Sequence, residues 1–155
     1  MSGLLEKTLQ NFTHTRLDRP PRLLPKFPHL IGGDSNLWVK FLQQYPSFFD
    51  AVSYDVRVGE GMILEGDWSP EIADMATTLS QRRVDIIAEK DNKIWIVEIK
   101  VDPSVSLIGQ LDAYLILFLN ELETPVFTQL CTIVNRVNPD LITVLNHKDI
   151  RYFVV

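Results

Sequence analysis

The sequence predicts an α/β domain: a mixed central β-sheet flanked by helices on both faces. Three observations carry this expectation. The strand candidates in the middle of the chain follow one another through turns, as antiparallel neighbours do. The later ones are separated by helices, as parallel neighbours must be. And 155 residues, 46% hydrophobic and 23% charged, suit one domain with a substantial core.

Taken in order, residues 1–33 read as an N-terminal extension, partly irregular and basic, ahead of a domain at 34–155. A short helix is expected near residues 4–12. Pro20, Pro21, Pro25 and Pro28 then hold the chain extended, and Arg16, Arg19, Arg22 and Lys26 charge it. Such a stretch either reaches a phosphate backbone or wraps along the domain with its charges solvated. Gly32-Gly33 closes it. Asp34 or Ser35 caps a helix over 36–44, with Leu37, Phe41 and Leu42 on one side, and Pro46 ends or bends it. Residues 51–58 alternate as a strand does, and Gly59, Gly61 and Gly66 mark turns. Ser69 caps a helix that Pro70 opens and that runs to Ser80.

A strand hairpin follows, 83–87 with 94–100. Asp102 is then expected to cap a helix with Pro103 at its first position, running to about Glu121 and stopping before Pro125. Residues 126–134 are rich in β-branched side chains and form a strand. A short helix over 139–146 and a strand over 151–155 close the order.

The hairpin carries the chemistry. Asp91-Asn92 is a good turn because both residues tolerate positive φ. With Lys90 facing Lys93, the register sets Asp85 opposite Glu98, where cross-strand Cβ atoms lie roughly 4.5–5.5 Å apart. The other face becomes Val84, Ile86 and Ala88 against Ile99, Val97 and Trp95, wholly apolar, which supports that register independently. Lys100 shares the side of Glu98. Two like charges set opposite each other destabilise a sheet unless something positive lies between them. Oxygen ligands of this kind suit Mg²⁺ or Mn²⁺. The alternative is a half-exposed hairpin whose charges face water, against which Ile87, Ile94 and Ile96 on the same face count.

The rest of the composition narrows the classes. One cysteine, Cys131, excludes an intrachain disulfide framework and reads as a small apolar strand residue. The start lacks the basic and apolar blocks of a signal peptide, and the most apolar run, 113–119, is too short to span a bilayer, so a cytoplasmic protein with no membrane partner is expected. The net charge of −5 argues against a tight, sequence-independent nucleic-acid binder but not against a nuclease, whose acidic ligands add to the negative total.

This element order over residues 36–155, with Asp85, then Glu98-Ile99-Lys100, then Gln110-x-x-x-Tyr114 on the next helix, resembles the PD-(D/E)XK nuclease superfamily, in its RecB-type branch. The resemblance implies a metal-dependent deoxyribonuclease that acts on DNA in restriction, repair, recombination or phage DNA processing. It makes Asp85 and Glu98 ligands of Mg²⁺ or Mn²⁺, with the Ile99 carbonyl as a third. Lys100 would orient or help deprotonate the attacking water, or stabilise the pentacovalent phosphate. Beside two carboxylates it keeps its charge, which favours the electrostatic role. Gln110 and Tyr114, four apart, share a helical face, with Gln110 bonding Lys100 or a phosphate and Tyr114 packing or touching nucleic acid.

The chain departs from the family pattern in three ways. Val84 stands where proline precedes the Asp. No acid falls within 36–44, where many members carry a helix glutamate; Glu60, Glu65, Asp67 and Asp55 are the alternatives. His14 and His29 fall before the helix and His147 near the end, so the histidine of some RecB-type sites has no obvious counterpart. A single-metal site, or one completed by a substrate phosphate, is therefore favoured over a symmetric pair. Trp68, among the glycines of 59–80, either stacks on a base or fills a satellite core. The competing expectation is a nuclease-fold module with weak or lost catalysis that binds nucleic acid or protein in a larger assembly; a protein partner or a homodimer suits either.

Overall fold

The computed structural model describes residues 3–155; Met1 and Ser2, on which the reading of the chain's start partly rests, lie outside them. Six strands form one sheet in chain order: β1 (Arg16–Asp18), β2 (Ala51–Val58), β3 (Arg82–Lys90), β4 (Lys93–Lys100), β5 (Thr128–Val134) and β6 (Arg151–Val154). The first three junctions are antiparallel and the last two parallel. The fold is therefore the expected mixed sheet, and β4 is the strand at which the pairing changes sense.

The helices are α1 (Leu4–Thr8), α2 (Gly32–Gln44), α3 (Pro70–Ser80), α4 (Ser106–Asn120) and α5 (Pro139–His147). The parallel strands are joined through α4 and α5, as parallel pairing requires. Two apolar clusters sandwich the sheet. One joins α1, α4 and α5 through Leu5, Leu111, Phe118, Leu141 and Leu145. The other joins α2 and the preceding segment through Phe27, Leu30, Trp38 and Phe41. The helices cover both faces, and no helix among the described residues is long and apolar enough to cross a membrane.

Several boundaries differ from expectation for physical reasons. The N-terminal stretch wraps the domain: it adds β1 as a short edge strand and buries Leu5, Leu9, Phe27 and Leu30. Arg19 pairs with Glu6 and Glu89, and Arg22 with Asp18, so two of the four cations between residues 16 and 26 are answered within the chain. Helix α2 begins at Gly32, not Asn36, and carries Asp34 in its first turn, where the helix dipole favours an acid. Asp102 does not cap α4. Its φ is +49°, outside the extended region an N-cap adopts, and its carboxylate instead accepts from Asn135 and pairs with Arg136 at 2.8 Å. Helix α4 starts at Ser106, beyond Pro103. Cys131 is fully buried in β5, and burial pushes its thiol pKa up, as suits a packing residue.

Candidate active site

The hairpin forms in the expected register, Lys90↔Lys93 through Ile86↔Val97, with Asp91 and Asn92 at φ of +50° and +61° in the turn. The next pair in that register is Asp85 with Glu98, and there the ladder opens. Asp85 Oδ2 takes the backbone N–H of Ile99 at 2.9 Å, so a side chain satisfies a donor that would otherwise be orphaned. On the other side the β2–β3 ladder skips the same row: Tyr54↔Ile86 and Val56↔Val84 are paired, while Asp55, at φ +56°, interrupts β2 between them.

That interruption changes which way the side chains face. Tyr54 and Ile86 lie in the α2-side cluster, but Val56 and Val84 lie in the α4-side cluster. The expected apolar face of Val84, Ile86 and Ala88 thus holds for Ile86 and Ala88 and fails at Val84, because the alternation breaks at the Asp55–Asp85 row. Asp85 sits at the switch. Its Oδ1 lies 4.0 Å from Nε2 of His29, on the segment that leads into α2. Glu98, on β4, turns towards α4.

Both acids are buried, Asp85 at 5% and Glu98 at 6% exposure, which excludes a hairpin whose charges face water. Glu98 Oε1 accepts from Gln110 Nε2 at 3.1 Å, and the same amide donates to Tyr114 Oη at 2.8 Å. Gln110 therefore holds a carboxylate; the expected bond to Lys100 is not formed. Glu98 Oε2 is buried with no hydrogen-bond partner. Thr132 Oγ1 donates to the Glu98 carbonyl at 2.8 Å, pinning that residue to β5.

The electrostatics follow from this packing. Burial and the neighbouring Asp85 push the Glu98 pKa well up, and burial with the nearby Asp34 raises that of Asp85. Two carboxyls in contact cannot both ionise cheaply, so the pair holds a proton at neutral pH unless a cation replaces it. Burial and the Glu98 charge raise Tyr114 to about 12; its ring packs in the α4-side cluster while its hydroxyl ends the Glu98–Gln110 chain. Lys100 is exposed and makes no ion pair within 4 Å among the described residues, yet its charge is felt by Glu98 and Asp34.

Two residues join this site that motif spacing missed. Asp34, from the first turn of α2, has its pKa raised by burial while Lys100 and His29 pull it down. It is an acid in the first turn of α2, and helix-start rules place that start beyond it because glycines are poor helix formers. The signal available was the helical spacing of Asp34 with Trp38 and Phe41. His29 had no such signal: it lies in an irregular segment at φ +66°. Of the alternative acids, Asp55 adjoins the site but is held by Arg83 through two bonds of 2.7 and 2.6 Å. Glu60, Glu65 and Asp67 are exposed on the excursion between β2 and β3.

Among the described residues, no three His, Cys, Asp or Glu side chains are gathered tightly enough to hold a metal ion by themselves. Asp85 and Glu98 do fit a Mg²⁺-type ion, which binds through one or two carboxylates and keeps several waters. The orphaned Glu98 Oε2 is the atom such an ion would satisfy. Asp34 is a further carboxylate whose charge both acids feel.

No family model matches the chain, and no curated protein sequence matches it either. Among solved structures it is similar to a crystal structure of a protein of unknown function, AF1548, at 16% identity and a TM-score of 0.41, over 77% of this chain; it spans 55% of that protein's length.

Proposed function

We propose that this chain is a divalent-metal-dependent nuclease that hydrolyses phosphodiester bonds of DNA. The observation that carries the reading is the buried acid pair: Asp85 and Glu98 meet with no cationic side chain between them, and no donor group among the described residues reaches Glu98 Oε2. A pair of this kind costs stability in any fold that does not use it. Mg²⁺ or Mn²⁺ bound there would act as a Lewis acid on the phosphoryl oxygen and acidify a water.

The chain's own residues have defined work. Asp85 and Glu98 would hold the cation, and the Ile99 carbonyl would serve as a third ligand. Ile99 N–H orients Asp85, and Gln110 orients Glu98, leaving Oε2 free. Lys100 presents an ammonium where charge develops on the phosphate, an electrostatic clamp. Tyr114 fixes Gln110 and closes the site from α4.

The test is cleavage of supercoiled, linear duplex, single-stranded and branched DNA, and of RNA, with Mg²⁺ or Mn²⁺ and with chelator, beside Lys100→Ala. Metal-dependent cutting that the variant loses is the expected result, and the preferred substrate names the subclass. The second reading, a module with weak or lost catalysis, rests on the absence of a three-ligand group among the described residues and on the net charge of −5. It expects no cutting on any substrate. Mn²⁺ titration then separates a dead module, which has no affinity at Asp85 and Glu98, from an enzyme that waits for a partner.

A further inference from the structure

We propose that the groove between β1 and the segment that follows it binds the phosphodiester backbone of the nucleic acid beside the bond to be cut, an inference that rests on the nuclease reading above. The groove measures about 260 Å³ and is lined by Arg16, Arg22, Lys26, Asp18, Tyr54 and Pro28, among others. Three cations converge on it in a chain whose net charge is −5, so their concentration there does not follow from bulk composition.

The one acid in the lining is already spent. Asp18 is buried, and its two oxygens accept from Arg22 N at 3.0 Å and Arg22 Nε at 2.9 Å. That bond anchors the Arg22 side chain through Nε and leaves its terminal nitrogens without a protein partner among the described residues. Arg16 and Lys26 are exposed and make no ion pair there. Cations held without internal partners are what phosphate neutralisation requires.

The groove also leads to the acid pair. Pro28 lines it, and the next residue, His29, brings Nε2 to 4.0 Å from Asp85 Oδ1. Arg16 pairs with Tyr54, whose other partner is Ile86, one residue from Asp85. Two inter-strand steps separate β1 from β3, roughly 10 Å. That is the axial rise of about three nucleotides of one B-DNA strand. The excursion between β2 and β3 offers a phosphate no such counter-charge: residues 59–80 carry Glu60, Glu65, Asp67, Glu71 and Asp74 and no lysine or arginine. A phosphate backbone is therefore steered to the β1 side.

The test is fluorescence anisotropy of labelled single-stranded and duplex oligonucleotides in EDTA, between about 50 and 200 mM NaCl. The unmodified chain is compared with an Arg16→Ala/Lys26→Ala double variant, which spares the structural Arg22–Asp18 bond. A Lys7→Ala/Lys93→Ala variant controls for net charge, and Lys26→Ala alone serves if the double variant fails to fold. The expected result is about tenfold weaker binding and a salt slope reduced by about 1.4–2, with the control unchanged. Unchanged affinity and slope overturn the proposal, as does the absence of binding by the unmodified chain. Displacement of the oligonucleotide by millimolar inorganic phosphate at constant ionic strength also overturns it, in favour of an isolated anion site. Plasmid cleavage is read separately. Cutting with unaltered binding defeats the groove and leaves the nuclease; groove-dependent binding without cutting does the reverse.

Discussion

Two acids face each other across one row of the sheet, Asp55 on β2 and Asp85 on β3, and they are treated in opposite ways. Asp55 is answered by a fork of two hydrogen bonds from Arg83, which overcomes the effect of burial and holds its pKa below the usual carboxylate range. Asp85 receives a backbone N–H and a second carboxylate, and its pKa moves the other way. Arg83 is two residues from Asp85 in the same strand, so a cation was within sequence reach. The contrast shows that this fold has the means to neutralise an acid, and applies it at Asp55, Asp18 and Glu89 but not at Asp85. An acid pair left unresolved beside a resolved one is where, under the proposed reading, a cation would supply the missing charge.

The comparison can be broken most directly through activity. Glu98→Gln is expected to lower metal-dependent cleavage by about three decades or more, since several kcal/mol of transition-state stabilisation pass through the ion. Asp55→Asn, one strand away, is expected to cost less than about tenfold. Equal losses in a plasmid-nicking assay would erase the distinction between the two acids. Lys100→Ala comes next, at about 10²–10³ in rate with Mn²⁺ affinity retained, because its charge acts on the phosphate and not on the ion.

Stability should reverse the ranking. Arg83→Met strands Asp55 and is expected to cost about 1–2 kcal/mol in urea unfolding, below the range for a fully buried pair because Arg83 is partly solvent-screened. Glu98→Gln is expected to raise the midpoint of the metal-free chain at pH 8, since it deletes an ionisation the fold disfavours. The pH dependence has a definite sign. Both carboxyls of the pair have raised pKa values, so above pH about 4 the folded state binds more protons than the unfolded one. Metal-free stability should therefore fall as the pH climbs from there to the alkaline side, and millimolar Mg²⁺ should restore it. A flat melting-temperature profile between pH 4 and 9 would mean that the pair is already compensated. The smallest effect among the proposed site residues is expected at Gln110→Ala, about tenfold in rate, because it loosens Glu98 without removing a ligand.

Local chemistry explains which features could be read ahead of the structure. The hairpin register followed from Asp91-Asn92 and from the alternation of Ile86, Ala88, Trp95 and Val97, all of which are short-range. The face of Val84 did not, because the break in alternation originates on a different strand, at Asp55. Asp102 looks like a cap by residue type, yet its partners, Asn135 and Arg136, are distant in sequence. Asp34 was hidden by the helix-start rules, and His29 by the irregular backbone around it. The acids on the hairpin were visible because a charge among β-branched residues is conspicuous. Those approaching from α2 were not, because only tertiary packing brings them near.

The excursion between β2 and β3 has a separate consequence. Val58 and Arg82 are directly paired, so a two-residue turn would suffice to join the strands. Residues 59–81 are inserted instead, none of them buried, and they tie back through bonds such as Arg57 to the Thr78 carbonyl and Gln81 to that of Gly59. Such a segment is an exchangeable cassette: it can be lengthened, replaced or lost in one genetic step while both apolar clusters stay intact. Met62, Ile63, Trp68, Ile72, Met75 and Leu79 are exposed on it. Selection can thus alter this part of the surface without renegotiating the fold, and a protein engineer has the same freedom there.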